Sequence, residues 1–398
     1  MPRYSPGHAA ATLLFLAFIA CSGSETLEPT PTSPSGSAMA LGDRHVCLLR
    51  QGRTLCWGTG TDGQLGIGST PVDTTPAVLP DSLELVALAA GQAHTCGLDA
   101  EGVAYCWGSD RDGQLGLGAT AVQLCGAFPC ATRPQPVAGN LRFLTLAAGH
   151  RFTCGITTNS KVFCWGLNDV GQLGTETDGE TCVEGRCSHT PLQETSGRSF
   201  ASITAGLSHV CALDRGGATF CWGWDGPAGT GEGHHPTFTP NAYAVDAPPF
   251  RQLTAGGYHT CGLANDGSGY CWGIDAIGAG PTLLESNEPV AVIGGTHFQS
   301  MHAARITTCG LGTDSAAYCW GPNPDGEIGT EPVGGLQRFD QPVAVSGGLR
   351  FQTLEAGSST YCGITQDDRV FCWGRGESGE LGAGHSNSAA PVAVSLPS

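Results

Sequence analysis

The sequence predicts an all-β chain folded as a seven-bladed β-propeller, closed by a C-terminal strand that pairs into the first blade. Three observations lead there. The tripeptide Cys-Trp-Gly recurs seven times, starting at Cys56, Cys106, Cys164, Cys221, Cys271, Cys319 and Cys372, with spacings of 50, 58, 57, 50, 48 and 53 residues. A fixed period near 50 is the mark of a repeat architecture. Around each copy lie short β-branched or aromatic runs bounded by Gly and Asp, the pattern of strands and hairpins. Glycine contributes 61 of 398 residues, about twice the usual ~7%. That suits tight turns and opposes helices, where glycine costs ~1 kcal/mol per position.

The N-terminus reads as an export signal. Arg3 supplies a positive start, and Ala9 to Ala20 is an apolar run of 12 residues interrupted only by Thr12. A bilayer span needs about 20, so residues 1–20 fit the apolar core of a signal peptide instead. The run ends on Ala20-Cys21, which resembles the bacterial lipobox, although Phe18 stands where leucine is usual. Cys21 is the expected lipidation site and membrane anchor; an ordinary signal peptide cut nearby is the alternative. The segment that follows, within 21–39, is a Ser/Thr/Pro tether with no apolar pattern. The expected localisation is the cell envelope, outside the cytoplasm, as a lipoprotein.

Each repeat in 40–398 has one grammar. In the second, Leu88-Ala89-Ala90-Gly91 leads to His94-Thr95-Cys96-Gly97-Leu98, then the turn pair Glu101-Gly102, then Val103 to Gly108, and Gly113-Gln114-Leu115-Gly116 closes the unit. Proline-led strands follow, at Pro76, Pro136, Pro289 and Pro342. About four strands per unit make a blade. A further such strand, Pro391-Val392-Ala393-Val394, stands after the last unit, while none precedes Ala40-Leu41-Gly42. It is therefore expected to complete blade one and leave no open edge; an open solenoid is the alternative.

These residues resemble the regulator of chromosome condensation repeat family. Gly91…His94-Thr95, Gly206…His209 and Gly256…His259-Thr260 carry the first part of its pattern; Gly63-Gln64-Leu65-Gly66, Gly113 to Gly116 and Gly171-Gln172-Leu173-Gly174 carry the last. The resemblance covers about 40–398 and implies a seven-bladed propeller. Units four to six are degenerate: Gly226-Pro227-Ala228-Gly229 and Gly326-Glu327-Ile328-Gly329 replace the ending, and unit five has no clear counterpart. Phe152, Thr307 and Thr360 stand at the histidine position.

Of 19 cysteines, fourteen fall in seven pairs within the units: Cys47/Cys56, Cys96/Cys106, Cys154/Cys164, Cys211/Cys221, Cys261/Cys271, Cys309/Cys319 and Cys362/Cys372. Six pairs are ten residues apart and the first is nine. Ten residues around a short turn place both sulfurs on one face of a hairpin, with Cα atoms ~4.5–5.5 Å apart, within disulfide reach. The odd spacing of the first pair demands a different turn or a bulge. Seven pairs of reduced, packed thiols are the alternative. Cys125/Cys130 in CGAFPC and Cys182/Cys187 in CVEGRC lie in the two longest gaps and read as loops stapled to themselves. Such loops either carry binding or are tolerated insertions. No Cys-x-x-Cys is present, so no zinc site is expected.

Net charge is −17 and Lys161 is the only lysine. A nucleic-acid partner would need a basic stripe, so none is expected. The sequence holds no Gly-x-Ser-x-Gly elbow, no His-Glu-x-x-His and no phosphate-binding loop; catalysis, cofactors and metals are not expected. Asp110-Arg111-Asp112-Gly113 and Asn323-Pro324-Asp325-Gly326 look faintly like calcium loops but lack the remaining ligands. The repeated His45, His94, His209 and His259 read as structural, because an active site is rarely built identically in four blades. The most irregular stretch, 224–245, offers Trp224, His234, His235, Phe238 and Tyr243 as contact residues for a partner. The leading expectation is a monomeric, extracytoplasmic module that binds a protein partner through propeller-face loops. Secreted members of the resembled family that inhibit enzymes such as β-lactamases make an inhibitor one version. Guanine-nucleotide exchange, as in eukaryotic members, and a polysaccharide-acting enzyme with paired carboxylates in the channel are the competing readings.

Overall fold

In the computed structural model, residues 38–397 are described apart from 81–82, 119–122, 178–179, 225–239, 332–337 and 385. The expected leader, Cys21, most of the tether, and His234, His235 and Phe238 lie outside the described residues. The rest forms seven antiparallel sheets, six of four strands and one of five, and no helix occurs among the described residues. Blade one runs Ala38–Leu41, His45–Arg50, Arg53–Thr59 and Val72–Val78. Each later blade repeats this meander outward from the axis. Blade two gains its fifth strand from Gln123–Cys125, a hairpin onto Phe128–Pro136.

The C-terminal strand corrects one expectation. Ser388–Ala393 pairs with Val370–Gly374 inside blade seven, Cys372 opposite Val392. The first blade is complete without it. The proline-led strand is the outer strand of its own unit, not the first strand of the next. Proline suits that place, because an outer strand needs ladder hydrogen bonds on one side only and proline discourages pairing on the other.

The ring closes instead through side-chain packing. Seven apolar clusters lie between adjacent blades. One joins Met39, Leu41, Val46, Leu48 and Trp57 of blade one to Ile364, Val370 and Leu381 of blade seven. Every repeat tryptophan is fully buried in such a cluster. Six also donate Nε1–H to a carbonyl of the preceding blade's turn: Trp107 to Gln64 at 2.9 Å, Trp165 to Gln114 at 3.0 Å, Trp222 to Gln172 at 3.1 Å, Trp320 to Ala276 at 2.9 Å, Trp373 to Glu327 at 3.0 Å and Trp57 to Glu380 at 2.8 Å. The last bond joins the two ends of the chain. Ala276 reveals the missing ending of unit five: Asp275-Ala276-Ile277-Gly278, with Ile277 buried. Trp272 Nε1 has no partner among the described residues; the corresponding repeat position, Gly226 to Gly229, lies outside them.

The hairpins explain the cysteine spacings. In every blade the two cysteines sit directly opposite each other. The structure bridges all seven pairs at Cα separations of 4.0 to 4.2 Å. Blade one turns through Gln51-Gly52, both at positive φ (53° and 71°), a two-residue turn that imposes a separation of nine. Elsewhere Asp99 and Val103, or their equivalents, pair around three residues, which adds one. The glycine of Cys-Trp-Gly is required: its φ lies between 95° and 115° in all seven blades. At Gly58 a Cβ would also stand 2.5 Å from the Arg44 carbonyl oxygen.

The latching turns test the packing. Gln64, Gln114 and Gln172 fold back so that Oε1 accepts a backbone N–H two residues earlier, at 2.9, 2.8 and 3.0 Å. Glu327 makes the same contact with the Asp325 N–H at 2.8 Å, and burial pushes its carboxyl up to about 7. Its folded-state value exceeds the unfolded one, so its contribution is complete below about pH 4.5 and is lost as pH rises through 7. Glu327→Gln is therefore expected to leave the unfolding midpoint nearly unchanged at pH 5 and to raise it by several degrees at pH 8, read by circular dichroism.

Candidate functional site

In an antiparallel meander the turn from first to second strand and the turn from third to fourth emerge at the same end. That end of the propeller carries the channel mouth, the tryptophan-latching turns and both stapled insertions. The mouth is ringed by an Ala-Gly or Leu-Gly step in six blades, including Leu41-Gly42, Ala90-Gly91 and Ala356-Gly357, and by Ala303-Ala304 in blade six. Neighbouring turns are linked backbone to backbone: Asp43 N–H to Gln92 O at 3.3 Å, Gln92 N–H to His150 O at 3.1 Å, and Arg305 N–H to Ser358 O at 2.9 Å.

Just below the mouth sits a second inter-blade contact. His45 Nε2 lies 2.8 Å from Thr95 Oγ1, and the same bond joins His94 to Thr153 at 2.9 Å, His209 to Thr260 at 2.9 Å and His259 to Thr308 at 2.7 Å. Thr95 and Thr153 give their own protons to the Gln64 and Gln114 carbonyls at 3.1 and 3.0 Å. His45 and His94 must then donate from Nε2–H, and Nδ1 of all four histidines has no hydrogen-bond partner among the described residues. The glycine three residues before each histidine is dictated by the ring: a Cβ on Gly91 would stand 2.2 Å from His94 Cε1. The exceptions are paired. Phe152 packs in one cluster with Val210, which stands where Thr would be, and Thr360 of blade seven, whose counterpart position in blade one is Val46, gives its hydroxyl proton to the Arg375 carbonyl at 2.9 Å. Thr307 instead meets Tyr361, hydroxyl to hydroxyl at 3.0 Å. These histidines hold blades together.

The two stapled insertions converge on this same end. Disulfides close Cys125–Cys130 and Cys182–Cys187 at Cα separations of 5.7 and 5.8 Å. Between the loops stands Arg111. Its guanidinium lies 4.0 Å over the Phe128 ring of the first, and its Nη2 is 2.9 Å from Glu184 Oε1 of the second. Arg151 reaches the same Glu184 oxygen at 3.1 Å, comes within 3.7 Å of Asp112, and donates from Nε to Gln92 Oε1 at 3.2 Å. The Glu184 N–H donates to Asp112 Oδ1 at 3.2 Å. Asp112 is fully buried; burial raises its carboxyl, opposed by the Glu184 N–H and Arg151. Asp43, Arg44, Gln92, Arg111, Phe128 and Arg151 line one groove beside the channel. Val183, at the tip of the second loop, is exposed.

Sequence models of the family described as "Regulator of chromosome condensation (RCC1) repeat" match residues 51–98, 101–156 and 159–213, and also 85–114, 144–172, 250–276 and 351–380. Together they cover more than half of the chain. The chain belongs to the regulator of chromosome condensation repeat family. Among curated proteins it is similar to the Ultraviolet-B receptor UVR8 of Arabidopsis thaliana, 26% identical over 189 residues, which is 47% of this chain and 41% of that protein. It is also similar to the secretion-regulating guanine nucleotide exchange factor of Bos taurus, 26% identical over 191 residues, 46% and 39%. These matches span only about two fifths of either relative. Among solved structures, human WBSCR16 aligns over 87% of this chain and 95% of its own, with TM-score 0.75 and 19% identity. Prp20p of Saccharomyces cerevisiae aligns over 86% and 85%, with TM-score 0.72 and 21% identity. At these identities the likeness speaks for the fold alone.

This RCC1-repeat chain places the remaining candidate residues unevenly. Trp224 lies at the channel-mouth end, its N–H donating to Ser208 O at 2.9 Å, edge-on to Tyr258 at 5.6 Å. Arg305 Nη2 donates to the Tyr258 hydroxyl at 3.2 Å. Tyr243 sits on the outer strand of blade four, opposite Cys221 and 44% exposed. Arg111, Arg151 and Glu184 carried no repeat signal, and only tertiary structure joins them. The faint calcium loops are turns: Asp110 Oδ1 accepts the Leu115 N–H at 3.1 Å and Asn323 Oδ1 the Ile328 N–H at 3.0 Å. Among residues lining the channel, the carboxylates are Asp43 at the mouth and Glu355 inside, the latter 3.6 Å from His302; they are not a facing pair. Among the described residues, one group offers metal-ligand geometry, Cys182, Cys187 and His189, and its two sulfurs are joined to each other.

Burial lowers His45 and His259 to about 4 and His94 and His209 to about 3. The unfolded chain binds these protons first, so stability falls as pH drops below about 6.5 and continues to fall toward 4. Guanidinium unfolding midpoints measured from pH 7 to pH 4 should decline steadily. The double change His94→Phe with Thr153→Val copies the native Phe152–Val210 contact and should flatten part of that decline.

Proposed function

We propose that this RCC1-repeat propeller is an exported protein-interaction scaffold, tethered by lipid at Cys21, that binds a protein partner through the loop face around the channel mouth. The observation that carries this reading is Arg111, held by Phe128 on one side and Glu184 on the other. Two disulfide-stapled insertions from separate blades are thereby fixed as one surface. Ordering loops before a partner arrives removes part of the entropy cost of binding. Aromatic and arginine side chains on a rigid base are the residue types that dominate protein interfaces. Export is supported by the apolar leader and by nine bridged cysteine pairs, which a reducing cytosol disfavours. Trp224 and Tyr258 extend the same surface on the far side of the mouth.

Guanine-nucleotide exchange is the second reading, favoured by the name of the bovine relative and by the binding of Gsp1p and histones named for Prp20p. The expected export signal and the net charge of −17 weigh against a nuclear or cytosolic role of that kind.

The test is capture from the cell envelope by the full-length tethered protein, compared across variants. Arg111→Ala and Phe128→Ala are expected to reduce recovery of a partner at least tenfold. Leu144→Ser changes an exposed residue at the opposite end and should not matter. Equal recovery by all forms rules out this face. Metabolic labelling with a palmitate analogue tests the tether: Cys21→Ser should abolish incorporation, and an unlabelled native protein would remove the anchor from the account.

A further inference from the structure

The Cys182–Cys187 disulfide has surroundings unlike the other eight. Both cysteines of every other pair are buried, Cys125 being the most open of them at 8%. Cys182 alone is half-buried, with solvent access. Its Sγ stands 3.7 Å from His189 Nε2, and His189 Nδ1 is hydrogen-bonded to the Glu180 carboxylate. The two sulfurs and a His189 nitrogen all lie within 4.8 Å of one another. The carboxylate holds the Nδ1 proton and turns Nε2 toward sulfur, the arrangement that lets an imidazole pass protons to a thiolate. A disulfide serving only as a staple needs none of this, and among the described residues Cys125–Cys130 has no comparable histidine contact.

We propose that Cys182–Cys187 is a thiol–disulfide exchange site served by His189 and positioned by Glu180, its co-reactant being a dithiol. A thiol of the dithiol gives its proton to His189 Nε2, and the resulting thiolate attacks the accessible Cys182 Sγ. The S–S bond breaks, its electron pair leaves on Cys187 Sγ, and His189 delivers a proton there. The second thiol of the reductant then attacks its own sulfur in the mixed disulfide and expels Cys182, which takes up the second proton. Two electrons and two protons pass from the dithiol, which becomes a cyclic disulfide. The seven hairpin disulfides are closed to this attack because their sulfurs are buried between strands, and exchange requires access.

The exchange has a mechanical consequence. Glu184 lies inside the four-residue loop that the bond closes and bridges Arg111 and Arg151. Opening the bond frees that loop and loosens the surface between the two insertions. This consequence rests on the reading of that face as a docking surface; the exchange chemistry does not.

The experiment exposes the native, oxidised protein to graded dithiothreitol at pH 7, quenches by alkylation and reads each cysteine by peptide mass spectrometry. Cys182 and Cys187 are expected to label at least tenfold faster than any other pair. His189→Ala should slow that step at least tenfold at pH 7 and change its pH profile, and Glu180→Gln should slow it by a smaller factor. Unchanged labelling of the other pairs shows that the variants remain folded. Opening of Cys125–Cys130 at the same rate overturns the proposal, as does an unchanged rate in both His189→Ala and His189→Asn, or isolation of Cys182 and Cys187 as free thiols. If the bond opens selectively but partner capture is unaffected, the docking consequence fails while the exchange site stands.

Discussion

Every blade is left incomplete at its tryptophan. In six of the seven blades the indole N–H is satisfied by a carbonyl in the turn of the blade before it, inside an apolar cluster to which both blades contribute. A buried N–H without a partner costs about 1–3 kcal/mol, and a repeat that cannot bury its apolar face alone is stable only beside its neighbours. Closure follows from the same rule. Blade one needs a preceding turn as much as any other, and Glu380 of blade seven provides it. The interface between blades seven and one therefore repeats the five others in which this bond is described, and no strand has to be exchanged to seal the ring.

The histidine contact shows how strictly the neighbours are matched. A histidine in one blade demands a threonine in the next, and where Phe152 cannot donate, Val210 removes the acceptor. A threonine in front of a phenylalanine would have no N–H for its buried hydroxyl oxygen to accept, so the two substitutions are matched. Thr307 with Tyr361 reaches the same end with a longer partner. Internal repeats thus record pairwise chemistry between blades that no single unit displays.

The disulfides divide by location into two tasks. Those across the hairpins pin adjacent strands within each blade and are shut away from solvent. Those in the insertions shape loops at the channel-mouth end, where Arg111, Arg151 and Glu184 join them. The rigid wheel is thereby separated from a surface that can vary without disturbing it, as is usual for loops on a fixed framework.

The seven units, the cysteine pairs opposite one another and the structural role of the histidines were legible in the sequence, because they depend on local spacing: a hairpin of known turn length sets register within about ten residues. The unit-five turn, the role of Ala276 and the meeting of the two insertions were not legible. They depend on which carbonyl or carboxylate a neighbouring blade presents, about 40 to 75 residues away. The direction of closure was misread for the same reason. A proline-led strand looks alike whether it ends one blade or begins the next, and only the hydrogen-bond ladder between Cys372 and Val392 decides between them.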